Sequence, residues 1–210
     1  VSCMTLLDDG RVVSGSQDTL IVWAAGDDGA FAAAQTLSGH TNRVTCVAPL
    51  DDGRIVSGSY DTTLIVWAAG DDGAFAAAQT LSGHISFVYC VAPLDGGRLV
   101  SGSHDNTLIV WAAGDDGTFA AAQTLSGHTH FVTCVAPLDD GRVVSGSWDK
   151  TLIVWAAGGD GAFAAAQTLS GHTIWVWCVA PLDGGRLVSG SEDTTLIVWE
   201  AGDDGTFAAA

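Results

Sequence analysis

Three kinds of short apolar run recur along this chain: VTCVAPL, RIVSGS and TLIVWA, with small variations. Each is rich in β-branched residues and is bounded by DDG, YDT or GDDG, combinations that favour tight turns. This pattern predicts strands joined in hairpins. A fourth run, FAAAQTL, dissents, because alanine is the best helix former and a poor strand former. It is too short for a stable helix and is bounded by Gly73 and Gly83, so it reads as an outer strand with small side chains. In the second copy the four strands are expected at Val44–Leu50, Arg54–Ser59, Leu64–Ala68 and Phe75–Leu81.

The order of runs repeats. QTLSGH occurs at residues 35–40, 79–84, 123–128 and 167–172, always 44 apart. Units 35–78, 79–122, 123–166 and 167–210 are complete, and residues 1–34 form a fifth that lacks its first nine positions and one more before Leu20. A period of 44 suits a four-stranded propeller blade or a helical repeat of the HEAT or armadillo kind. The hairpin pattern decides for the blade. The expected fold is all-β: a single β-propeller array, residues 1–210, of five four-stranded antiparallel blades forming an incomplete or open ring. The last outer strand stops part-way, at Ala208-Ala209-Ala210, so the expectation is an array cut from a longer ring, stable as an arc, as a strained five-blade ring or through self-association that supplies missing blades.

The unit also resembles the WD-repeat β-propellers over the whole chain. The resemblance rests on the Gly39-His40 pair, the SGSxD stretch from Ser57 to Asp61, and Trp67 six residues after that Asp. The family's closing Trp-Asp reads Trp-Ala here, or Trp-Glu at Trp199-Glu200. What the resemblance implies is a buried hydrogen-bonded tetrad in each blade: His40, Ser57, Asp61 and Trp67; His84, Ser101, Asp105 and Trp111; His128, Ser145, Asp149 and Trp155; His172, Ser189, Asp193 and Trp199. Indole donor, hydroxyl, imidazole and carboxylate can bond in sequence. The first unit has Ser14, Asp18 and Trp23 without the His. Ser, His and Asp together also suggest nucleophilic catalysis, but a constellation copied in every blade reads as scaffold. The GDDG loops lack calcium-loop spacing. No enzyme activity, metal or cofactor is expected.

Across the four full units, 33 of 44 columns are identical. Five columns change chemical class. They hold Asn42, Ser86, His130 and Ile174; Arg43, Phe87, Phe131 and Trp175; Thr45, Tyr89, Thr133 and Trp177; Tyr60, His104, Trp148 and Glu192; and Thr62, Asn106, Lys150 and Thr194. In antiparallel strands the first begins where the second ends. These columns therefore gather on one face around the central channel and are the candidate binding residues. Trp148, Trp175 and Trp177 are extra to the five repeat tryptophans, and Trp, Tyr and Arg dominate interface hot spots. As exposed aromatics they are expected to contribute little to folding. The acidic turns should occupy the opposite face. The pattern resembles the diversified WD arrays of receptors carrying a NACHT-type nucleotidase or kinase upstream, where the repeat face is thought to recognise non-self ligands.

Charge narrows the partners. Seven Lys and Arg against 24 Asp and Glu give a net charge of −17, which argues against phosphate backbones and anionic membranes. Five cysteines, one per unit, read as small buried hydrophobes and not as a disulfide framework. No apolar run is long enough to span a bilayer, and no signal peptide opens the chain. A cytoplasmic module is expected, as a segment of a longer protein, since the chain begins at Val1. It would bind a protein or similar macromolecule through the diversified face, or serve as a constitutive assembly scaffold using the rim or the acidic face.

Overall fold

The computed structural model describes residues 1–210 and contains strands and turns only. Blade one comprises β1 (Cys3–Leu6), β2 (Val12–Gly15), β3 (Thr19–Ala25) and β4 (Phe31–Ser38). Blade two comprises β5 (Val44–Pro49), β6 (Ile55–Ser59), β7 (Thr63–Ala69) and β8 (Phe75–Ser82). Blade three comprises β9 (Val88–Leu94), β10 (Arg98–Ser103), β11 (Thr107–Ala113) and β12 (Phe119–Ser126). Blade four comprises β13 (Val132–Pro137), β14 (Val143–Ser147), β15 (Thr151–Ala157) and β16 (Phe163–Ser170). Blade five comprises β17 (Val176–Leu182), β18 (Arg186–Ser191), β19 (Leu196–Ala201) and β20 (Phe207–Ala209). Each is an antiparallel meander in chain order. The fold is an array of β-propeller blades, and the strand limits expected for the second copy hold to within one residue.

The 44-residue unit and the blade are out of step. Gln35, which opens a unit, lies in the middle of β4, so each unit contributes the end of one blade and most of the next. The alanine-rich run is a strand because β8 pairs with β7 from Ser82 to Phe75 and anchors both ends: Phe75 and Leu81 are buried while the alanines face solvent. Full ladder pairing and two buried anchors override alanine's helix preference.

The core lies between sheets. Leu7, Val13, Leu20, Val22 and Leu37 of blade one pack on Val44, Ile55, Ile65, Trp67 and Phe75 of blade two, and the same layer recurs at later junctions. Gly58 shows how closely the blades approach. A Cβ there would lie 2.7 Å from the side chains of Cys46 and Val88, the latter on blade three. At the two ends the sheet faces are uncovered: Met4 and Leu6 in blade one and Leu196 in blade five are mostly exposed.

Candidate functional site

In blade two the Trp67 indole donates to Ser57 Oγ at 2.9 Å, and Ser57 Oγ lies 2.8 Å from His40 Nε2. His40 Nδ1 lies 2.8 Å from Asp61 Oδ2. With the proton on Nδ1 donated to the carboxylate, Nε2 accepts the Ser57 hydroxyl, and every group in the chain is satisfied. Asp61 also accepts from the Thr41 and Thr63 amides and the Thr63 hydroxyl. The same geometry joins His84, Ser101, Asp105 and Trp111, His128, Ser145, Asp149 and Trp155, and His172, Ser189, Asp193 and Trp199. In blade one, Trp23 donates to Ser14.

The order Asp–His–Ser is that of a nucleophilic triad, but these hydroxyls are closed off. Ser57, Ser101, Ser145 and Ser189 are fully buried and already accept an indole N–H. No reacting carbonyl can approach them. The carboxylates are held ionised: burial alone would raise Asp105 and Asp149, but hydrogen bonds from His84 and Thr107, and from His128 and Thr151, outweigh it and hold both well below the usual range.

The five variable columns share one face. Two of them are tied within each blade, since the Tyr60 amide donates to the Arg43 carbonyl, His104 to Phe87, Trp148 to Phe131 and Glu192 to Trp175. Across blades the side chains of these columns stack. Tyr60 lies on Phe87 at 4.3 Å between ring centroids, His104 on Phe131 at 3.2 Å, and Trp148 on Trp175 at 4.0 Å with 7° between planes. Tilted pairs of Phe87 with His104 and Phe131 with Trp148 complete the series. The result is an unbroken aromatic belt from blade two to blade five. His130 packs edge-on against Phe131 and tilted against Trp148.

A third column sits on a β-bulge. The register between innermost and second strands slips between Val44 and Cys46, so Thr45 has no partner opposite it, and the same slip occurs at Tyr89, Thr133 and Trp177. A bulge re-aims its extra side chain. Thr45 and Thr133 turn theirs inward: Thr45 Oγ1 donates within reach of the Gly58 and Val88 carbonyls, and buried Thr133 does the same to Gly146 and Val176. Tyr89 instead meets Tyr60 edge-on, and Trp177 donates to Glu192 at 2.7 Å. The column of Thr62, Asn106, Lys150 and Thr194 adopts φ of 68 to 75°, the left-handed conformation of a tight turn, and leaves Lys150 and Thr194 exposed.

These positions correct two expectations. Tyr60, Phe87, Tyr89, Phe131 and Trp148 are half-buried because they cover one another; of the belt aromatics only Trp175, with Trp177 beside it, is exposed. They therefore contribute to joining the blades, contrary to the expectation for exposed rings. Thr45 and Thr133 are occupied by the neighbouring blade's backbone. Asn42, Arg43, Lys150, Ile174 and Glu192 are exposed, and Ser86 and His104 half-buried, with Ser86 Oγ 3.2 Å from His104 Nδ1.

Two residues on this face escaped the sequence reading. Ile85 is 87% exposed beside the belt, an apolar residue where the other copies have threonine. Gln17 occupies the Tyr60 column in the short first unit and lines a polar hollow with Asp18, Thr41, Asn42 and Arg43. Alignment of the truncated unit with the others would have found it. Within the belt, the Trp148 indole N–H is buried without a partner, as is Asn106 Oδ1. Burial and neighbouring Tyr60 push the Tyr89 phenol up to about 12; burial, and then the charge of His130, lower His104.

The opposite face carries the acidic turns, and four of its five arginines are already engaged by the next blade. Arg11, Arg54, Arg98 and Arg142 each donate to a glycine carbonyl of the next blade and lie over its phenylalanine ring at about 5 Å. A hollow of about 380 Å³ there is lined by Asp51, Asp95, Asp139, Arg98 and Arg142.

Against this geometry, residues 32–68, 76–112, 120–156 and 164–200 match the family model described as WD domain, G-beta repeat. The chain belongs to the WD-repeat family. Each matched WD repeat starts in an outer strand and ends in the third strand of the next blade, which is why His40, from the loop after β4, completes the tetrad of blade two. WD-repeat domains generally mediate protein interaction or scaffolding and are generally non-catalytic. No curated protein matches this chain as a relative.

Proposed function

We propose that this chain is a non-catalytic recognition module that binds a protein or similar macromolecular ligand through the diversified face. The observation that carries the reading is the aromatic belt from Tyr60 to Trp175, which ends in exposed Trp175 and Trp177 and holds an unpartnered indole N–H at Trp148. Rigid aromatics are the side chains that interfaces use as anchors. The tetrads and arginine contacts are the same from blade to blade, while the belt, which also joins the blades, differs between copies. A net charge of −17 makes nucleic acid and anionic lipid poor partners. Five free cysteines, with Cys46 and Cys134 pushed up to about 12 by burial, suit a reducing cytoplasm. By resemblance to NACHT- and kinase-linked arrays, the module would be the sensor part of a receptor.

The hollow on the acidic face favours a second reading, a constitutive scaffold engaged from that side. Arg98 and Arg142 there are committed to the next blade, which weakens it. Affinity capture and crosslinking with Trp148→Ala and Trp175→Ala against Asp71→Asn and Asp115→Asn separates the two. Partners lost only with the Trp changes support the diversified face. Partners lost only with the Asp changes move the site to the acidic face.

A further inference from the structure

The array repeats over two blades as well as over one. Residues 35–122 and 123–210 share features that alternate within each: DDG turns at 51–53 and 139–141 against DGG at 95–97 and 183–185, and Ala74 and Ala162 against Thr118 and Thr206. The bulge column follows the same alternation, with Thr45 and Thr133 against Tyr89 and Trp177.

This alternation gives the diversified face two like constellations. Between blades two and three, Tyr60 stacks on Phe87 at 4.3 Å and 18°, and Tyr89 meets Tyr60 edge-on at 5.7 Å and 83°. Between blades four and five, Trp148 stacks on Trp175 at 4.0 Å and 7°, and Trp177 meets Trp148 edge-on at 5.5 Å and 82°. Every ring differs, yet the geometry is the same: a stacked pair walled by a perpendicular ring set on a bulge. The junction between them lacks the wall, because Thr133 is buried with its hydroxyl on the Val176 carbonyl. Blades two and three have neighbours on both sides. Tyr89, half-buried there, therefore shows what a corner leaves open once the following blade is in place.

The backbone beside each corner alternates too. In blades two and four the side chain before it caps the amide entering the innermost strand: Arg43 N–H donates to Asn42 Oδ1 at 2.8 Å, and Phe131 N–H to His130 Nδ1 at 2.9 Å. Ser86 instead turns its hydroxyl to His104, and Ile174 has no acceptor, so the Phe87 and Trp175 amides have no such cap. Each corner thus offers an apolar angle with a free N–H beside it. The complement is an apolar side chain together with a carbonyl, which an extended peptide supplies at every residue.

Building on the reading of the diversified face as the binding surface, we propose that the two corners hold one extended peptide segment of a partner protein through two apolar anchor residues, one to each corner. Linking the anchors in one chain makes the second contact intramolecular, so neither corner has to bind tightly alone.

A phage-displayed library of random peptides of about 16 residues, which reach about 50 Å when extended, supplies the probe. It is selected on the full chain, and fluorescence anisotropy of an enriched synthetic peptide gives the affinity. Tyr89→Thr and Trp177→Thr install the residue that the same bulge holds in blades two and four, so the fold is kept, as circular dichroism will check. Enriched peptides should carry two apolar anchors. Each substitution should weaken binding by roughly tenfold or more, and both together should abolish it. Changing one anchor to alanine should leave the peptide sensitive to only one of the two substitutions, and changing the other anchor to the remaining one. A peptide that responds to a single corner overturns the proposal, as does a library that yields no enriched peptide. A peptide lost with Trp148→Ala but indifferent to both Thr changes overturns the paired corners and keeps the diversified face. One that survives all three changes overturns the diversified face as well.

Discussion

The indole rings of Trp148 and Trp175 lie parallel, 4.0 Å apart, across the boundary between blades four and five. Trp148 is held by the turn between β14 and β15, where its amide donates to the Phe131 carbonyl, and Trp175 by the loop entering β17. Two columns that vary independently in sequence are therefore partners in space. The same pairing relates Tyr60 to Phe87 and His104 to Phe131, so the belt both joins blades and displays a surface.

Removing either ring should have two effects. A stacked aromatic pair is worth about 0.5–1.5 kcal/mol beyond its burial, so loss of the stacking in Trp148→Ala or Trp175→Ala should lower the melting temperature by about 1–6 °C. Ligand capture should fall by roughly tenfold or more. Trp148→Phe, which keeps a stacking ring, should recover most of the melting temperature. Calorimetry beside capture measures both, and retained capture in the alanine variants would remove the belt from the binding site.

The tetrads should respond in the opposite sense. His128→Ala strips partners from buried Ser145 and from Asp149, at about 1–3 kcal/mol. Denaturant midpoints should fall while ligand capture by folded protein persists. An unchanged midpoint with capture abolished would make His128 a binding residue.

Acid should act on the tetrad carboxylates late. Asp61, Asp105 and Asp149 have folded-state pKa values below the ordinary one: burial opposes this, and the hydrogen bonds from His and Thr prevail. In Asp193 the Thr195 hydroxyl is the chief cause of the same lowering. A depressed folded pKa means stability that is fully present above the unfolded value, about 3.9, and is lost as pH falls towards the folded one. The contribution of these groups to urea midpoints should hold from neutral to about pH 5 and decline below about pH 4. Asp105→Asn should cost about 1–3 kcal/mol at neutral pH, and its gap from the parent should shrink in acid. A gap that widened in acid would contradict the assignment.

Arginines of the acidic face provide an internal control. Arg54 bonds the Gly117 carbonyl at 2.7 Å and lies over Phe119, whereas Arg186 has no neighbouring blade within the chain. Arg54→Ala should lower monomer stability by about 1 kcal/mol, and Arg186→Ala should leave it unchanged at low protein concentration. Asp71→Asn and Asp115→Asn, in exposed turns, should alter neither stability nor capture. Thermal melts of the four variants side by side check the order.

The 44-residue period, the strands and the turns were legible in the sequence, because each follows from local pattern repeated in every unit. Hydrophobic runs bounded by Gly and Asp specify hairpins without reference to distant residues, and the tetrads followed from the resemblance to the WD-repeat family, whose motif residues stand in register in each full unit. The single face of the variable columns also followed, since antiparallel pairing dictates where strands begin and end. What each variable side chain does was decided by the neighbouring blade. Thr45 and Thr133 lie in a diversified column yet bond carbonyls of the next sheet, and Trp148 is half-buried because Trp175, 27 positions on, covers it. Exposure is a property of two surfaces in contact. A column in one repeat records only one of them, which is why Phe31, buried in every other copy of its position, stands open at the array's end.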